Sequence, residues 1–247
     1  MPTRKLPRSD DERSAALATC AAKALSTPPA NWLITGTQNN TLNATLSPWR
    51  ATRDALGPAL HAQTTATTAT EAALASCARH NSHFIQVINL AVERGNLPAS
   101  VRSYYQLPLT HSEVPLMNTC PLALLWAGNL KSGEAARVAA GGAPMSWPTI
   151  AQVDAAALAC FNAENIQSGA KSNYDMAQES VSDLRPTVDS LIKDIWDTIE
   201  YNLRADAPSS LRRKAREWGV VYDGEEEAPV PPAPPTPPAP PTPPPTP

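Results

Sequence analysis

Apolar residues recur at steps of three and four along most of this chain. Leu184, Val188, Leu191, Ile195, Ile199 and Leu203 form the longest such series. Cys77, Phe84, Val87, Ile88 and Ala91 form a second, and Ile150, Val153, Ala157 and Cys160 or Phe161 a third. A repeat near 3.6 residues places each set on one face of a helix, to be buried against another element. Strand-type alternation is scarce, and the pattern predicts an all-α protein.

Stop and start signals divide the helices. Ser9-Asp10-Asp11-Glu12 has the form of a capping box, with acids at the positive end of a first helix that Thr27-Pro28-Pro29 ends. Pro48 and Gly57-Pro58 predict a kink or break ahead of a long segment from about Gln63 to Arg94. Gly95-Asn96-Leu97-Pro98 stops that segment. Pro121 to Leu130 and Ser132 to Ala140 read as two short helical pieces, with Leu107 to Pro115 as loop. The next helix is expected to end near Ser168-Gly169, and the last long one to kink at Pro186 or begin near Arg185.

The pattern also repeats. Pro29-Ala30-Asn31-Trp32 precedes the first long helical stretch and Pro144-Met145-Ser146-Trp147 the second. The first ends in Leu97-Pro98-Ala99-Ser100-Val101-Arg102 and the second in Ala207-Pro208-Ser209-Ser210-Leu211-Arg212. An Ala-rich helix lies ahead of each tryptophan. Landmarks in one order argue for an internal duplication, with repeats about 9–107 and 118–222. Each repeat reads as a helical hairpin, and two hairpins would bury their stripes as an up-and-down four-helix-type bundle. Short helices after Pro98 and Pro208, with Ser100 and Ser210 as their caps, would close one end of it. Residues 1–8 are expected to be flexible, 9–222 to form the bundle, and 223–247 to be an acidic, then proline-rich, disordered tail.

Composition adds limits. The 247 residues carry a net charge of −3 with both signs interspersed, so no nucleic-acid partner is expected. The N-terminus is charged with no apolar run behind it, and no stretch approaches the length that spans a bilayer. A cytoplasmic protein is expected, and a membrane role is not. The tail repeats Pro-Pro-Ala-Pro-Pro-Thr. It favours extended polyproline II, read as a spacer rather than a ligand for an aromatic groove.

Chemistry is sparse. Cys20, Cys77, Cys120 and Cys160 sit singly among Ala and Leu and read as small buried hydrophobes rather than redox or metal residues. His80 and His83 share a helix face without the nearby carboxylates a metal site needs, and read as solvent-facing. No phosphate loop or nucleophile elbow occurs. No catalytic, cofactor-binding or metal-ligating residue is assigned, and no cofactor is expected. Arg204, Arg212, Arg213, Lys214 and Arg216, with Trp218 beside them, are the one basic cluster, a weak candidate for a phosphate or acidic-partner contact. Trp32, Trp49, Trp126, Trp147, Trp196 and Trp218 read as core and bundle-end anchors. The expected function is non-enzymatic: a scaffold or protein-interaction module whose partner is another protein, a second copy of the chain being one candidate. A membrane-active helical protein of pore-forming type and a bundle-type metal-binding enzyme are the alternatives.

Overall fold

A computed structural model describes residues 3–224. Of the tail 223–247, for which the sequence predicts disorder, residues 225–247 lie outside them, while Asp223 pairs in a strand. The described chain is all-α: α1 (Asp10–Ser26), α2 (Gly36–Glu93), a 3-10 helix (Ala99–Tyr105), α3 (Cys120–Ala139), α4 (Ile150–Asn202) and α5 (Pro208–Glu217). Two-residue strands β1 (Thr3–Arg4) and β2 (Tyr222–Asp223) pair antiparallel and tie the two ends together.

Side-chain caps fix where the helices start. Ser9 and Glu12 form the capping box read from the sequence. Ahead of α2, the Gln38 amide N–H donates to Thr35 Oγ1 and the Thr35 N–H to Gln38 Oε1. Thr149 and Gln152 make the same exchange ahead of α4. Glutamine replaces glutamate in both, and each box satisfies two backbone donors. Pro98 and Ala207, not the following serines, cap the 3-10 helix and α5, and neither makes a side-chain cap bond.

The expected breaks are absent. Pro48 and Pro58 lie inside α2 and Pro186 inside α4, so each long stretch is one helix rather than a hairpin. An internal proline costs about 3 kcal/mol. Around Pro48 the apolar face continues through Leu42, Leu46 and Trp49, all buried, which offsets that cost. In the weakly helical Thr/Ala segment, Thr64, Thr67, Thr68 and Thr70 donate to carbonyls four residues back, so their hydroxyls are used within the helix. Pro121 sits in the first turn of α3, and the two short pieces expected there form one helix.

The chain divides into two compact units that are not its two halves: residues up to Leu46 with those from Val188 onward, and residues 47–187. Each holds a short first helix, the start of one long helix, the end of the other, and the short helix that follows. The 3-10 helix and α5, expected to close one end of a single bundle, therefore fall in different units. In the first unit the start of α2 lies antiparallel to the end of α4. The Gln38 side-chain amide donates to Asp194 Oδ2 (2.7 Å) and Thr198 Oγ1 (2.8 Å), and that of Asn202 to Leu33 O (3.0 Å). The Arg13 fork grips Asp189 through two bonds of 2.7 and 2.9 Å. In the second unit the α2 and α4 segments are again antiparallel: Thr70 Oγ1 also lies 3.0 Å from Ala163 O, its one proton shared between that carbonyl and Ala66 O, and Gln167 Nε2 donates to Thr67 Oγ1 (3.1 Å). Phe84 and Ile88 of α2, Tyr105 of the 3-10 helix, Leu130 of α3 and Val153 of α4 share one core there.

Candidate functional site

Most cations of the basic cluster are engaged within the chain itself. Arg204 stacks on the Tyr201 ring at 3.9 Å and donates to Tyr201 O (2.7 Å). Lys214 pairs with Asp206 at 2.7 Å. Arg216 lies 5.8 Å from the Tyr222 ring and lines a hollow of about 350 Å³ with Leu6, Pro7, Ala15 and Val221. Arg212 also interacts within the described chain, and Arg213 stands exposed near Glu217, whose carboxyl Lys23 holds below its ordinary value. Trp218, expected beside these cations as a partner contact, is buried at 3 % exposure, because the apolar edge of α5 faces the core.

A surface hollow of the second unit is better built. His80, His83, Val87 and Leu90 lie along one face of α2 and line it with Trp147, Pro148 and Gln152; its volume is about 510 Å³. His83 is exposed as expected, and His80 half-buried, with Nδ1 2.8 Å from Ser76 O. Trp147 is 76 % exposed. This corrects its reading as an anchor, since the described residues leave most of the ring uncovered. Trp32, at the matching place in the first half, instead donates its indole N–H to Ala24 O (3.0 Å) and Thr27 O (2.8 Å).

Buried polar groups hold the backbone that leads to Trp147. Glu134 and Arg137 of α3 are 2 % and 5 % exposed. Arg137 donates to Glu134 Oε1 (2.9 Å), Glu134 Oε2 (3.0 Å), Tyr105 Oη (2.7 Å) and Ala143 O (2.7 Å). Tyr105 donates its hydroxyl to Glu134, and the Met145 N–H donates to the same carboxylate at 2.7 Å. Burial raises the Glu134 pKa, but the bonds from Arg137, Tyr105 and Met145 outweigh it and hold the carboxyl below its ordinary value. Burial, then the carboxylate, pushes the Tyr105 phenol up. The group thus ties the 3-10 helix, α3 and residues 143–145 together, two residues ahead of Trp147. The sequence reading missed it; its only trace is a Glu and an Arg three apart on α3. A second buried link, Arg102 to Asn89 Oδ1 (2.9 Å) and Leu109 O (3.2 Å), secures the preceding loop.

All four cysteines are free and buried, as expected. Burial pushes the Cys20 and Cys160 thiols up to about 12. Among the described residues no group of three or more His, Cys, Asp or Glu side chains is placed to hold a metal ion, and no helix is long and apolar enough to cross a membrane. No family model, curated protein or solved structure matches this chain.

Proposed function

We propose that this chain is a non-enzymatic helical scaffold or protein-interaction module, that the Trp147 hollow is its docking point, and that the tail is a spacer. The exposure of Trp147 carries the reading. A tryptophan left 76 % exposed forgoes burial worth several kcal/mol, and such rings dominate binding energy when a partner covers them. The buried Tyr105–Glu134–Arg137 group fixes the loop that presents it, lowering the ordering cost of association. The outer face of α4 adds Leu158, Phe161 and Ile166, at 60, 50 and 65 % exposure, opposite its buried face. The matched order of helices, the paired Thr/Gln capping boxes and the two tryptophans support an internal duplication in which one copy docked its tryptophan and the other left it free.

The test is affinity capture with the full chain, a version ending at Gly224, and Trp147→Ala. A protein bound by the first two and lost with Trp147→Ala supports the reading. A partner kept by Trp147→Ala but lost with the tail would refute it and make the tail the ligand. Light scattering of the same three proteins reads self-association.

A further inference from the structure

Three of the four cysteines come together in the second unit. Cys77 belongs to α2, Cys120 to the first turn of α3 and Cys160 to α4, and all three are buried in the shared core. Cys160 Sγ lies 3.2 Å from Cys120 Sγ, and Cys77 shares the same core close enough to interact with both. Asn81, fully buried beside them, donates to Ala123 O (2.8 Å) and approaches Cys77 Sγ at 3.8 Å. Its Oδ1 is the one buried side-chain polar atom without a partner among the described residues. Cys20, by contrast, lies in the other unit.

Residues used only as small hydrophobes have no reason to meet sulfur to sulfur across two helices; alanine fills the neighbouring positions 123, 127, 156 and 157 of the same core. A disulfide needs an S–S distance of about 2.05 Å, so closure from the observed contact asks for a relative shift of little more than 1 Å. Rotation about the Cys side chains can supply much of it.

We propose that Cys120 and Cys160 are a redox pair whose oxidation joins their sulfurs in a disulfide, tying the first turn of α3 to α4, with Cys77 as a third thiol able to exchange into it. With a small-molecule disulfide such as oxidised glutathione as oxidant, one cysteine thiolate attacks it and expels one glutathione thiolate. The second cysteine then attacks the resulting mixed disulfide and expels the other. The protein loses two protons and two electrons, and one oxidised glutathione becomes two reduced ones. Both thiols are buried away from an oxidant in the native chain, so the link forms in chains that are folding or locally open. The bond closes a loop containing α3 and the segment leading to Trp147, so oxidation stiffens that presentation.

The experiment refolds the full-length reduced chain in a glutathione redox buffer, blocks free thiols with iodoacetamide in denaturant, and reads intact mass and linked peptides. The expected product carries two blocked cysteines, with a crosslink mapping to Cys120 and Cys160. The folded chain should favour that link over the denatured chain by roughly 100- to 1000-fold, the range for a loop of this length. Cys77→Ala should keep the crosslink. Four blocked cysteines in the folded wild type, or a predominant link through Cys20, would overturn the proposal. So would a folded-state preference no greater than that of the denatured chain. These readouts need no binding partner, so they stand apart from the test of the docking surface.

Discussion

Two glycines of α3 receive the same substitution with opposite outcomes. Gly128 is exposed, and a Cβ there would meet nothing within 4 Å. Gly128→Ala should gain up to about 1 kcal/mol from helix propensity. Gly133 lies where the 3-10 helix crosses α3. A Cβ there would stand 2.5 Å from Tyr104 O and 2.6 Å from Tyr105 Cδ1. The first of these is backbone and the second belongs to a ring held by Glu134 and Arg137, so neither yields by a simple rotamer change. Ordinary contact begins near 3.4 Å, and the crossing must open by most of an ångström. Overpacking costs about 1–3 kcal/mol, and strain on the Tyr105 bonds puts this case at the upper end. After the propensity gain, Gly133→Ala should destabilise by about 1–2 kcal/mol. At about 2–4 °C per kcal/mol for a chain of this size, the thermal midpoint should fall by about 2–8 °C, while Gly128→Ala raises it by a few degrees. Circular dichroism melts of the three proteins read this directly. If Gly133→Ala melts at or above the wild type, the close crossing of the 3-10 helix over α3 is wrong.

Removing one partner of a buried ion pair should cost about 3 kcal/mol, so Glu134→Gln should lower the urea midpoint well beyond a surface change. Its folded pKa is depressed, so the Glu134 contribution is complete above the ordinary glutamate value near 4.3 and fades as pH falls through the lower folded value. The stability gap between wild type and Glu134→Gln should accordingly narrow below about pH 4; a gap constant with pH would exclude an ionised Glu134. In the first unit, a double-mutant cycle on Arg13→Ala and Asp189→Ala should give a coupling of about 1 kcal/mol, since the fork is two-pronged but Asp189 is 44 % exposed. A coupling near zero would mean solvent screens the pair. Trp147→Ala should leave the melt within about 0.5 kcal/mol of wild type, as expected for an exposed side chain; a larger loss would show that the ring is packed.

The sequence by itself determined the helical class, the cap at Ser9, the burial of the cysteines and the stripe from Val188 to Leu203, because these depend on short-range periodicity and on the chemistry of a few adjacent residues. It also exposed the matched landmarks of the two halves. Tertiary structure decided what local signals cannot hold. Pro48 and Pro186 stay inside helices where buried neighbours such as Trp49 and Val188 offset a missing hydrogen bond; Pro58 also stays inside α2, with exposed or half-buried neighbours. Of Cys160 and Phe161, adjacent and equally apolar, one faces the core and the other solvent, a choice fixed by helix register against α3. Trp32 and Trp147 begin from like positions, yet only Trp32 finds carbonyls for its indole N–H. The Tyr105–Glu134–Arg137 group joins residues far apart in sequence, whose pairing exists only once α3 meets the 3-10 helix. Periodicity specifies which face of a helix is buried; only packing specifies what lies against that face and which side chains are left for a partner.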